Sequence, residues 1–236
     1  MHGLSRIGLS ECLGKRHRRA TTFIGNFALN PAAILSLYAS LGEKQYAGEP
    51  VNQIEHAWQC GQHAANARAG EALQLAAWLH DVGHLIANVP GSPTVHGIDD
   101  RHEHVGADAL EKIWGAAVAE PVRLHVLAKR FLVTTRRDYR ERLSDDSKRS
   151  LELQGGLMSD DEVKAFEASP YSEQAVWIRV WDDLGKAATP KDPQTPDRQL
   201  ALLGALMQSV TVRATGATLP DPGATSDTQA PIDIRQ

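Results

Sequence analysis

The stretch 71–82, Glu-Ala-Leu-Gln-Leu-Ala-Ala-Trp-Leu-His-Asp-Val, constrains this chain more than any other. It reads as an apolar helix, and a helix so rich in Ala and Leu goes into a core. At its end stand a histidine and an aspartate side by side, His80 and Asp81, with His84 a turn further on. A histidine and a carboxylate carried by an apolar helix are poorly explained as surface decoration, because buried polar groups need partners. The other histidines are the obvious candidates: the chain has ten, against four phenylalanines.

Most of the punctuation is helical. Asn30-Pro31 supplies an N-cap with proline at the first helical position, and the apolar run that follows ends at Gly42. Asn52 with Glu55 and Ser159 with Glu162 have capping-box spacing. Ser144 followed by Asp145 and Asp146 opens another helix, with the acids at its positive end. Further helices are expected over 53–69, 71–82, about 102–114, 121–132, 160–168 and 172–186, with loop from 88 to 100. No run shows strand alternation. The expectation is an all-α bundle over 31–187, preceded by a basic arm (1–30). A Pro-rich linker, a short helix near 198–210 and a tail poor in groups to bury make up 188–236.

Composition narrows the class. Hydrophobic residues are 42%, charged residues 23%, and the net charge is −4, which does not suit a basic nucleic-acid-binding chain. Cys12 and Cys60 form no C-x-x-C pair or disulfide framework, so a reducing, cytoplasmic setting is expected. No apolar run approaches the ~20 residues of a membrane span. No nucleic-acid or membrane partner is therefore expected.

Around His80-Asp81 the candidate ligands fall in a definite order. His56 lies on the upstream helix, His102 and His125 follow downstream, and Asp182 lies near the end of the last core helix. This order, His…His-Asp…His…His…Asp, resembles the HD-domain superfamily of helical metalloenzymes. In that family the paired aspartate bridges two metals. The resemblance implies one metal on His56, His80, Asp81 and Asp182, and another on Asp81, His102 and His125. Within the superfamily, the chain resembles the phosphonate-degrading branch over roughly residues 37–186. These oxygenases cleave the carbon–phosphorus bond of 1-hydroxy-2-aminoethylphosphonates and their N-trimethylated relatives, and are distantly related to myo-inositol oxygenase. Four motifs carry the likeness: Tyr46-Ala47-Gly48-Glu49, His125-x-x-Ala128-Lys129-Arg130, the serine-bearing helix ending in Gln154-Gly155-Gly156, and Arg179 to Asp182 with Asp183 and Lys186.

That likeness implies an Fe(II)/Fe(III) pair with dioxygen as co-substrate, and a small zwitterionic organophosphonate as substrate. The products would be phosphate with glycine or glycine betaine. It further implies that Tyr46 occupies the second iron until substrate displaces it, and that Glu49 receives the amino end. The residues are compatible with this. Lys129 lies one turn from His125, and Arg179 lies three residues before Asp182, so both can face the metals. Ser147, Ser150 and Gln154 form a polar stripe suited to three phosphonate oxygens, and His84 is read as a further donor to them. Histidine-rich N/O ligation by itself suits iron, manganese, zinc or cobalt. An HD-type phosphohydrolase acting on a nucleotide or phosphomonoester would keep every metal ligand. A metal-stabilised regulatory protein is the remaining alternative. Tyr46, Glu49 and the Ser147/Ser150/Gln154 set favour the oxygenase. Neither the choice of primary over methylated amine nor monomer over homodimer is fixed at this stage.

Overall fold

Capping chemistry places most of the helices in the computed structural model, which describes residues 29–214 except 47, 90 and 92. Asn30 accepts from the backbone N–H of Ala33 and opens α1, Pro31–Leu41. Asn52 does the same for Glu55 at the start of α2, Gln53–Asn66. Helix α3 is Glu71–Leu79 and α4 is Val82–Ala87. After a 3-10 turn, Thr94–His96, come α5, His102–Trp114, and α6, Ala116–Thr135. A short α7, Tyr139–Arg142, precedes α8, Asp145–Leu153, which Ser144 caps. Helix α9, Asp160–Glu167, has the complete capping box of Ser159 and Glu162. Helix α10 is Ser172–Leu184 and α11 is Pro196–Ala214. The described residues contain no strand, only an isolated bridge between Gln45 and Asn52, and no helix long and apolar enough to cross a membrane. The basic segment 1–28 and the tail 215–236 lie outside the described residues.

Three elements differ from the sequence expectation. The 71–82 run is broken: α3 stops at Leu79, and Asp81 takes φ −102°, ψ 9° before α4 begins. His80 and His84 therefore do not share a helix face. Helix α6 starts at Ala116 rather than at the proline, so Pro121 lies inside it and forgoes one backbone bond. The buried Val118, Ala119 and Val122 of its first two turns repay that local cost by packing into the core. Helix α11 is longer than expected.

The main core gathers Ile34, Ile54, Leu75, Leu79, Leu110, Ile178 and their neighbours, and α11 adds Leu203, Met207 and Val210. Each fully buried aliphatic side chain contributes about 1.5–3 kcal/mol. Helix α5 packs on α6, α6 on α10, α10 on α2 and α2 on α3. The candidate ligands sit on that ring of helices: His56 on α2, His80 just after α3, Asp81 just before α4, His102 at the start of α5, His125 on α6 and Asp182 on α10.

Close helix approach is what allows this. A Cβ on Gly83 would lie 1.9 Å from the carbonyl oxygen of His102, so only glycine lets α4 meet the start of α5.

Candidate metal centre

All six candidate ligands are buried, and they converge. Around one point, His56 Nε2 lies 3.4 Å from His80 Nε2 and 3.5 Å from both Asp81 Oδ2 and Asp182 Oδ1. His80 Nε2 is 3.3 Å from Asp81 Oδ2. Around a second point, His102 Nε2 lies 3.2 Å from His125 Nε2 and 3.3 Å from Asp81 Oδ1, with His125 Nε2 3.7 Å from that oxygen. Asp81 thus turns one oxygen to each group. The helix break at His80-Asp81 makes this possible by detaching the carboxylate from the α3 ladder.

The donor chemistry fits cations. Each imidazole has its Nδ1 beside a fixed acceptor: Gly185 O at 3.0 Å for His56, Ala77 O at 2.9 Å for His80, Val122 O at 2.7 Å for His125, and Asp100 Oδ1 at 3.0 Å for His102. With Nδ1–H donating there, every Nε2 turns a lone pair inward. Lone pairs facing each other at these distances repel unless positive charge lies between them. Metal bonds of about 2.0–2.2 Å to N and O place neighbouring ligand atoms roughly 2.9–3.6 Å apart, close to the separations seen. Asp182 Oδ1 is buried and accepts no hydrogen bond, although the Lys186 ammonium lies 3.2 Å from it.

Electrostatics give the same answer. Where protons rather than metal supply the positive charge, burial pushes the Asp81 carboxyl up, but the charge of His80 and hydrogen bonds from His102, His56 and His80 hold it well below the usual carboxylate range. Asp182, likewise opposed by burial, is held low by Arg179 and Lys186. Burial lowers His102, yet its bonds to Asp100 and Asp81 push it up to about 10. The cluster demands positive charge, from protons or from metal.

Two other groupings come close enough to hold an ion: His56, Cys60 and His80, and Asp81, His84 and His102. The Cys60 thiol is less suited as a ligand. It donates to Trp181 O at 3.4 Å, and burial, with Asp182 and Asp81 nearby, pushes its pKa well up. His84 Nδ1 is committed to Asp100 Oδ2 at 2.6 Å, and its ring stacks on His102 with centroids 3.9 Å apart.

Beside the cluster is a small cavity holding about 50 Å³ of water-accessible space. Tyr46, Glu49, His84, Lys129, Ser147, Ser150, Gln154 and Arg179 all line it, and so does Lys186. Tyr46 donates to Asp81 Oδ2 at 2.6 Å and stacks on His56 at 4.2 Å. Lys129 Nζ donates to Ser150 Oγ at 2.7 Å, and Lys186 Nζ to Ser147 Oγ at 3.2 Å, which makes two Lys–Ser pairs on one wall. Burial and the nearby Arg179 bring Lys129 down to about 7. Gln154 Oε1 and Glu49 Oε1 accept no hydrogen bond, and Glu49 Oε1 lies 3.7 Å from Lys186 Nζ. Arg179 is placed differently from a free anion clamp, since its guanidinium is paired with Asp182 and Asp183. Among the described residues the wall has no tryptophan: Trp58, Trp78, Trp177 and Trp181 all lie elsewhere, as do His96 and His104.

Two residues of this site were given no role by the sequence, Asp100 and Lys186. Asp100 offered a weak signal as a carboxylate two residues before His102. Lys186 lies one helical turn past Asp182, and its Nζ is 3.2 Å from Asp182 Oδ1.

No family model matches the chain. It is 40% identical over 168 residues to the hydroxymethylphosphonate dioxygenase of Gimesia maris, covering 71% of this chain and 82% of that protein. It is also 40% identical over 157 residues to the glycine-betaine-forming [1-hydroxy-2-(trimethylamino)ethyl]phosphonate dioxygenase of Leisingera caerulea, covering 66% of this chain and 78% of the other. An uncharacterized protein of Acanthamoeba polyphaga mimivirus is 33% identical over 159 residues, 66% of this chain and 73% of its own.

Proposed function

The chain belongs to the phosphonate dioxygenase family, and from that premise we propose that it cleaves the carbon–phosphorus bond of a short 1-hydroxyphosphonate with dioxygen and two iron ions. For hydroxymethylphosphonate the reaction balances as substrate plus dioxygen giving formate plus phosphate. Dioxygen supplies both oxygen atoms that the products carry beyond the substrate. A 2-amino or 2-trimethylamino substituent would give glycine or glycine betaine instead.

His56, His80, Asp81 and Asp182 would hold one iron, and Asp81, His102 and His125 the other. The pair would supply redox activation of dioxygen and polarise the substrate hydroxyl. The chain's own residues do the rest. Lys129 and Lys186, with Ser147, Ser150 and Gln154, present donors to three phosphonate oxygens. His84 is placed as an acceptor rather than the expected donor: its Nδ1–H goes to Asp100, so its Nε2 lone pair is left to take a hydrogen bond from a substrate hydroxyl. Tyr46 donates its phenol proton to Asp81 Oδ2 at 2.6 Å, and in the metal-free protein burial and the charges of Asp81 and Asp182 push its pKa well up.

The observation that carries this reading is the facing of two surfaces across a small cavity. One is a histidine–aspartate cluster that calls for cations, and the other is a cationic, serine-rich wall that calls for an anion. The cavity is far smaller than pockets for drug-sized ligands, about 300–1,000 Å³, which favours a small phosphonate over a nucleotide.

The test is anaerobic reconstitution with iron and ascorbate, followed by oxygen and each of the three substrates in turn. One phosphate released per dioxygen consumed is expected. Phosphate released without oxygen uptake would replace the oxygenase with a hydrolase.

A further inference from the structure

Three of the four imidazoles in the cluster are aimed by backbone carbonyls, which the fold fixes. His102 alone is aimed by a side chain, and that side chain is shared. Asp100 accepts from His102 Nδ1 through Oδ1 at 3.0 Å and from His84 Nδ1 through Oδ2 at 2.6 Å. Its Oδ1 also receives the backbone N–H of His102 at 3.4 Å. The two rings stack face to face, 3.9 Å apart and 20° from parallel. His84, Asp100 and His102 all line the cavity, and of these only His102 belongs to the cluster.

We infer that Asp100 is a positioning residue that couples the substrate cavity, through His84, to the second metal position, through His102. The inference rests on the two-metal reading above. A carboxylate has one acceptor oxygen for each ring, so it fixes both imidazoles in the same tautomer with both Nε2 atoms free. Held by one carboxylate and stacked, the rings move as a unit. A substrate hydroxyl that donates to the His84 Nε2 lone pair pulls on that ring, shifts Asp100 and so re-aims His102. An asparagine cannot replace this arrangement, because its amide nitrogen accepts nothing and one ring loses its anchor.

Cobalt(II) titration of the full-length protein without oxygen, followed by absorbance and calorimetry, tests this. Wild type should take up two Co(II) per chain. Asp100→Asn should keep the first at unchanged affinity and bind the second about tenfold to a hundredfold more weakly. On Co(II)-loaded protein, His84→Ala should weaken hydroxymethylphosphonate binding, and adding it to Asp100→Asn should weaken binding little further. Unchanged Co(II) affinities in Asp100→Asn, or additive losses of phosphonate binding, overturn the coupling. A wild type holding fewer than two Co(II) overturns the two-metal reading, and the inference with it. If circular dichroism shows Asp100→Asn unfolded, Asp100→Glu takes its place. It keeps the charge but is too long to hold both rings at these distances, and the same outcomes apply.

Discussion

Lys129 should lower the stability of this protein, and removing its charge should raise it. The side chain is 4% exposed, its amine bonds to a neutral hydroxyl, and burial with Arg179 nearby lowers its pKa from 10.5 to about 7. Between those values the unfolded chain binds the proton and the folded chain does not, so unfolding is favoured by proton uptake. At about 1.4 kcal/mol per tenfold, the deficit at pH 7 is ~4 kcal/mol. Lys129→Met removes it but also loses the bond to Ser150, worth ~1 kcal/mol. The net gain at pH 7 is about 3 kcal/mol. The sign of the pH dependence follows. Below pH 7 both states of the wild type carry the proton and the deficit is constant; above pH 7 it shrinks as the unfolded lysine deprotonates. The advantage of Lys129→Met should fall to nearly nothing by pH ~10. Urea unfolding of the metal-free proteins at several pH values between 7 and 10 measures this directly. A variant no more stable than wild type at pH 7, or a gap that stays constant with pH, would refute the reasoning. The gain should come at the expense of function, with hydroxymethylphosphonate binding about 10–100-fold more weakly as a charge-assisted hydrogen bond is lost.

Gly83→Ala should destabilise the fold by ~2–3 kcal/mol in urea unfolding and reduce the second metal's occupancy, because its Cβ would meet the His102 carbonyl oxygen at 1.9 Å. Tyr46→Phe removes the bond to Asp81 Oδ2; steady-state kinetics should show a lower KM for the phosphonate, with the fold unchanged by circular dichroism. Adding Fe(II) or Co(II) at a hundredfold excess over Kd should stabilise the protein by ~2.7 kcal/mol per independent site, and a chelator should reverse the rise in Tm.

Local chemistry was legible wherever it is written in neighbouring residues. The caps at Asn30, Asn52, Ser144 and Ser159 stand where expected, because capping bonds span three residues. The broken 71–82 run was not legible. Nothing local forbids a continuous helix there, and Asp81 leaves helical geometry to turn its two oxygens toward groups from four other segments. Pro121 misled for the opposite reason: a local stop signal was outweighed by the burial of Val118, Ala119 and Val122.

The sequence by itself determined an all-helical chain, the order of its metal-type side chains, and a serine-bearing helix whose spacing aligns Ser147 and Ser150. All of these depend on helical periodicity and residue chemistry within a few turns. Tertiary structure alone decided that His84 pairs with Asp100 rather than standing over His80, that Arg179 is taken up by Asp182 and Asp183, and that Lys186 joins the cavity wall. Those outcomes depend on which helices pack together and how closely. A partner 16 residues away across a loop, as Asp100 is from His84, is fixed by packing and leaves no periodic trace in the chain.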